Sequence, residues 1–212
     1  MSSDGIDWSK LPQSKYGDDD FFRLLVPDEI AKLPRLHQVI LNWQAATTLE
    51  LEHFEQHSKA KHQPWWDEYD YDPVREESVM LLETERAMFA SLAVSIASTA
   101  EHFIVRLCKH RNVSLTDADG ESDFGIICEN FSKSIGVTVS SLPGYPGNQR
   151  ARFLGNCYKH NGGMTDSRFA KKYKTTEGEI IEYETENWTA MIDETRALLF
   201  EICDRLELKQ KT

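Results

Sequence analysis

Between Phe89 and Leu107 the apolar residues Phe89, Leu92, Ala93, Ile96, Ala100, Phe103, Ile104 and Leu107 recur at steps of three and four. That spacing puts them on one stripe of an α-helix. The pattern predicts a helix from about Ser78 to Arg111, which at ~1.5 Å per residue approaches 50 Å. A helix that long in a chain of 212 residues is long enough to be the axis of a bundle. A second face carries Ser91, Ser95, Ser98 and His102, small polar groups that either admit a close helix or stand in solvent. The most apolar stretch, Ala87 to Ala100, is broken by Ser91, Ser95, Ser98 and Thr99. No run therefore reaches the ~18 apolar residues of a membrane span. The start, MSSDGIDWSK, has neither a basic cluster nor an apolar core of the export type. The expectation is a cytoplasmic protein with no membrane role.

The remaining pattern is also helical. Residues 1–27 mix Gly, Pro, the acidic run Asp18-Asp19-Asp20 and scattered aromatics, which predicts an irregular arm. From Pro34, suited to a first turn, to about Lys61 the set Leu36, Val39, Ile40, Trp43, Leu51 and Phe54 fits a helix. Gln63 to Pro73 (QPWWDEYDYDP) predicts a loop. Ser122 is a candidate cap for a helix bearing Phe124, Ile127, Cys128 and Phe131, and Gly136 is its stop. A β-branched Val137-Thr138-Val139 and a turn-rich connector lead to a short helix from Gln149 to His160. The alternation around Glu177-Gly178 in residues 174–183 predicts a small hairpin. A final helix capped by Thr185 carries Trp188, Met191, Ile192, Leu198, Leu199, Ile202 and Leu206. The expected fold is mostly α, an antiparallel helical bundle with a small β-hairpin before the last helix.

Charge and cysteines narrow the function classes. The chain carries a net −11, which excludes a wholesale basic coat for nucleic acid. Residues 137–174 reverse the trend, with seven basic groups (Arg150, Arg152, Lys159, Arg168, Lys171, Lys172, Lys174) against the single acid Asp166. Such an island is a candidate anion site; the alternative is that it pairs with its acidic flanks. Cys108, Cys128, Cys157 and Cys203 form no CxxC, so they read as reduced thiols, three of them among apolar residues at helical spacing. No metal site and no cofactor are expected. His53 and His57 lie four apart, but HFEQH is not HExxH and no third ligand is placed. The aromatic-acidic loop (Trp65, Trp66, Tyr69, Tyr71) is either packed or a partner-binding hook.

The segment from Arg150 to Gly163 (RARFLGNCYKHNGG) is the richest in chemistry. On a helix Arg152, Asn156 and His160 share one face, with a drift of ~40° over the eight residues. A guanidinium, an amide and an imidazole suit attack of an RNA 2′-hydroxyl on its own phosphate. His160 would move the proton, Arg152 would stabilise the phosphorane and Asn156 would orient. The alternative is a helix end in which the histidine caps carbonyls and the arginines are solvated.

The order of these elements resembles the HEPN domain family: a long helix with Glu101 midway, a medium helix, a connector, Asn156-x-x-x-His160, a hairpin and a Trp-led last helix. The family name abbreviates "higher eukaryotes and prokaryotes nucleotide-binding". The resemblance covers roughly residues 78–206. It divides the chain into an N-terminal arm and helical extension (1–77) and a HEPN-like domain (78–212). The family motif is Arg, a polar residue, three or four variable residues and His. Asn156 and His160 match it; the arginine position holds Gly155, and Arg152 one turn earlier would supply the guanidinium. The resemblance implies a homodimer and an RNA-directed protein. It would be either a metal-independent endoribonuclease of toxin or antiviral type, with a partner such as an antitoxin, or a catalytically silent module binding a protein, nucleotide or RNA. Catalysis would rest on His160, Arg152 and Asn156, and anion binding on Arg150, Lys159, Arg168, Lys171, Lys172 and Lys174.

Overall fold

A computed structural model describes residues 18–61, 63, 66 and 72–210. Among them are six α-helices: α1 (Asp18–Ala60), α2 (Pro73–His110), α3 (Phe124–Ile135), α4 (Tyr145–Asn161), α5 (Ser167–Tyr173) and α6 (Trp188–Gln210). Two 3-10 turns, Val139–Ser141 and Tyr183–Thr185, connect them. The expected axis is present. Phe89, Leu92, Ala93, Ile96, Ala100, Phe103, Ile104 and Leu107 of α2 are all buried, and α1, α3, α4 and α6 pack around them. The architecture is a mostly helical bundle with one continuous core.

The N-terminal region departs from expectation. Residues 18–27, expected as irregular, are the first turns of a 43-residue helix that holds Pro27 and Pro34 in its interior. An internal proline costs about 3 kcal/mol, through a lost hydrogen bond and a clash with the preceding turn. Phe22, Val26, Ile30, Leu33 and Ile40 are buried at intervals of three, four and seven on one side of α1. At about 1.5–3 kcal/mol for each fully buried large apolar side chain, that stripe outweighs the two prolines. The stripe belongs to the same core as α2 and α6. Residues 1–17 and most of the aromatic loop, including His62, Trp65, Tyr69 and Tyr71, lie outside the described residues.

Helix ends are set by side chains that the periodicity does not single out. Asp72 caps α2, its carboxylate accepting from the Val74 and Arg75 amides at 2.9 and 3.2 Å, so the helix starts five residues before Ser78. Asp123, one residue beyond Ser122, caps α3 by accepting from Ile126 at 2.8 Å. Gly136 ends that helix in the left-handed conformation, as expected. Asn187, and not Thr185, accepts from the Ala190 amide at the start of α6; Thr185 closes the 3-10 turn before it by donating to Glu182 O. The β-branched 137–139 segment leads into a 3-10 turn.

The small hairpin does not form among the described residues. The turn is there, with Gly178 at φ +84°, but residues 178–181 pair with 163–165 instead of with their own neighbours. Thr165 donates to Glu179 O at 2.8 Å, Gly178 to Thr165 O at 3.0 Å and Ile181 to Gly163 O at 2.9 Å. The result is an isolated antiparallel bridge between Met164 and Ile180. The chain leaving α4 at Gly162 runs alongside and offers a preformed edge, so the segment's backbone groups are satisfied there.

By length and composition α2 could cross a membrane, with a window of mean hydropathy 1.5, and 56% of that window is buried inside the bundle. All four cysteines are free and buried. Burial raises the Cys108 thiol to about 11 and the Cys128 thiol to about 12, from an ordinary value near 9. The unfolded chain therefore releases these protons first, and stability that is fully present below about pH 9 is lost as pH rises toward 12. Thermal melts should show Tm falling across that window. Replacing Cys108 and Cys128 by Ala should flatten the decline, and an unchanged slope would remove the thiols as its source.

Candidate nucleic-acid site

Helix α4 carries the chemistry-bearing segment, and its position is fixed at three levels. It starts at Tyr145, four residues before the expected Gln149, because Pro146 suits a first turn. Gly144 before it has φ +81°, and a Cβ there would lie 1.9 Å from Glu194 O, so only glycine permits this approach to α6. The Glu194 carboxylate then accepts from the Gly147 amide at 2.7 Å, placing an anion at the positive end of α4. Buried Asn148 donates to Ile96 O at 3.1 Å and to Thr195 Oγ1 at 3.4 Å, joining α4 to both α2 and α6.

The inner face of α4 consists of Gly147, Asn148, Ala151, Leu154, Gly155 and Cys157, all buried. Gly155 packs directly against α2. A Cβ built there would meet Val94 Cγ2 at 2.9 Å and Val94 N at 3.4 Å. Valine is stiff at χ1 and cannot swing aside cheaply in a helix. The position therefore admits no side chain in this packing, least of all an arginine.

Arg152, Asn156 and His160 do lie along one side of the helix, but its rise separates the first from the last by ~12 Å. Arg152 is drawn to α2 and α3 instead. It donates to Glu101 Oε2 at 3.0 Å, and its guanidinium carbon lies 4.3 Å from the Phe124 ring centroid. Asn156 is half-buried, and His160 is exposed in the last turn. No family model, curated protein or solved structure matches this chain.

The basic segment divides into engaged and unengaged groups. Arg150 holds Glu186 through two hydrogen bonds, one of them 3.1 Å from Nε. Its guanidinium carbon also lies 4.7 Å from the Phe169 centroid and 4.1 Å from that of Tyr173. This arginine joins α4 to α5 and to the start of α6. Arg168 pairs with Asp166 at 3.3 Å. Lys159, Lys171, Lys172 and Lys174 are exposed and have no ion-pair partner among the described residues. The two alternatives for this segment each hold in part: its arginines are balanced by acids of the fold, and its lysines face solvent.

A cleft of about 530 Å³ between α3 and the 136–145 connector escaped the sequence patterns. Cys128, Ser132, Lys133, Thr138 and Tyr145 are among its lining residues. Desolvation raises both the Cys128 thiol and the Tyr145 hydroxyl, so both stay protonated at neutral pH and neither is a ready base or nucleophile.

The tight contact at Gly155 makes a specific prediction. Gly155→Ala gains about 1 kcal/mol in helix propensity and loses about 1–3 kcal/mol by overpacking, so urea unfolding should show net destabilisation. Adding Val94→Ala to Gly155→Ala should recover part of the loss that Val94→Ala alone would not predict. A stabilised Gly155→Ala would mean that α2 and α4 are looser at this point.

Proposed function

We propose that this protein is a HEPN-like helical bundle that acts as an RNA-binding module and is silent as a nuclease in a single copy. The observation that carries the reading is the state of the motif: Gly155 is pressed against Val94, and the nearest arginine on the motif's side is held by Glu101 and Phe124. Arg152 is thus engaged by other partners and is not free to stabilise a phosphorane beside Asn156 and His160. Four unpaired lysines at and beyond the end of α4 supply the charge that a sugar-phosphate backbone requires. The element order adds support: a long axis helix, a medium helix, α4 with Asn156 and His160, and a last helix led by Trp188.

A ribonuclease reading is favoured by one feature. His160 is exposed, so an arginine brought by a second copy would complete a metal-free proton-transfer site. The two readings separate in one set of assays. A short single-stranded RNA should bind at low salt and lose about 50-fold in affinity between 50 and 200 mM salt if four phosphates are contacted. Lys171→Ala with Lys172→Ala should weaken binding and make the salt dependence shallower. RNA should remain uncut, with or without EDTA. Cleavage that leaves a 2′,3′-cyclic phosphate, survives EDTA, vanishes in His160→Ala and drops about 10²-fold in Arg152→Ala would establish the enzyme. No binding at low salt would overturn the RNA-directed reading.

A further inference from the structure

Three of the four free lysines, Lys171, Lys172 and Lys174, sit on α5 or at its end. That helix has seven residues, well under the ~12–15 at which an isolated helix becomes even marginally stable. Its ends are tied locally. Asp166 accepts from the Phe169 amide at 2.7 Å, and Lys174 closes the last turn in the left-handed conformation, at φ +57°. Backbone-to-backbone packing of α5 on the other helices is slight. Side chains must therefore hold it to the bundle.

Those side chains form one cluster. Phe169 is buried, and Tyr173 packs beside it with ring centroids 4.8 Å apart. Phe153 of α4 stands edge-on to both rings, at 6.3 and 5.7 Å. The Arg150 guanidinium lies over the same two rings, at 4.7 and 4.1 Å. Its Nε and a terminal nitrogen both donate to the Glu186 carboxylate, just ahead of α6. One planar cation thus joins α4, both aromatic rings of α5 and the entry to α6, a combination that suits arginine and not lysine. The pair is largely shielded, with 26% of the Arg150 side chain and 13% of the Glu186 side chain exposed. A phosphate that drew Arg150 away would leave Glu186 shielded and unpaired, which is costly.

We propose that Arg150 is a positioning residue for RNA binding: it holds α5 so that Lys171, Lys172 and Lys174 face solvent, and it does not itself meet phosphate. What the lysines contact rests on the RNA-binding reading above. How they are held rests on the geometry of α5 alone.

Two variants of the full chain separate positioning from phosphate contact. Arg150→Lys keeps the charge but cannot make the fork and lie over both rings. Glu186→Gln, close to the native side chain in size, removes the acid that the fork grips and answers the same question if Arg150→Lys fails to fold. In both, hydrogen exchange at the Phe169, Ala170 and Thr175 amides, which are bonded within α5 and its ends, should quicken about tenfold or more, because a charge-assisted fork is lost or weakened. Protection in α2 should be unchanged. Affinity for a short single-stranded RNA at 50 mM salt should fall about tenfold in each, as the lysines lose their fixed display. A phosphate-binding Arg150 gives the opposite result: Arg150→Lys keeps its affinity, and Glu186→Gln frees the arginine and raises it, with α5 still protected. Either of those outcomes would overturn the proposal. So would unchanged exchange in α5, or a loosened α5 with undiminished RNA affinity. The exchange measurement needs no RNA. A wild type that binds none would strike the RNA reading, and the hold on α5 would then stand or fall on its amide protection.

Discussion

The stripe from Phe89 to Cys108 on α2 cannot be shielded by one neighbour, and much of the molecule follows from how four other helices divide that task. Buried residues occur on several sides of α2, including Ala90, Ala97 and Thr99 as well as the main stripe. Covering them requires α1 and α6 to meet each other as well as α2, and α4 to come close enough that only glycine fits at 155. The two prolines inside α1 are tolerated for the same reason. Their local cost is smaller than the loss of covering on one whole flank of the axis.

The same packing governs the electrostatics. Seven cations between residues 137 and 174 look like one anion site when counted along the chain. Folding separates them by side-chain type. The arginines are drawn into contacts with Glu101, Glu186 and Asp166, and two of them also cover aromatic rings, as planar and weakly hydrated groups favour. The lysines, better hydrated and on flexible stems, remain outside. A segment with a sequence charge of +6 thus offers solvent a smaller and differently placed positive surface.

Much of the fold was legible because helical periodicity is a local property. The axis stripe, the stop at Gly136, the burial of Cys108, Cys128 and Cys203 and the apolar face of α6 could all be read directly. What escaped depended on partners far along the chain. The hairpin failed because residues 178–181 found a better edge at 163–165. The start of α1 was hidden because Pro34 reads as a first-turn residue and Pro27 as a break before it, whereas both lie inside the helix. Of the candidate site, Asn156 and His160 were placed on α4 as expected, but the partners of Arg150 and Arg152 were not readable. Glu186 lies 36 residues from its arginine and Glu101 lies 51 away. The acidic balance of the flanking segments was the one available hint.

By itself the sequence determined that this chain is helical, that α2 is long enough to be its axis and that Cys108, Cys128 and Cys203 are hidden, because each follows from residue spacing and burial preference. It also determined the opposition between an acidic N-terminal half and a basic stretch around α4, since charge is counted without a fold. Only the tertiary structure decided that Gly155 lies in a helix–helix contact and that Arg152 faces Glu101 instead of His160. Those facts depend on the angle and distance at which α4 crosses α2, and such geometry is set by close packing between segments more than fifty residues apart.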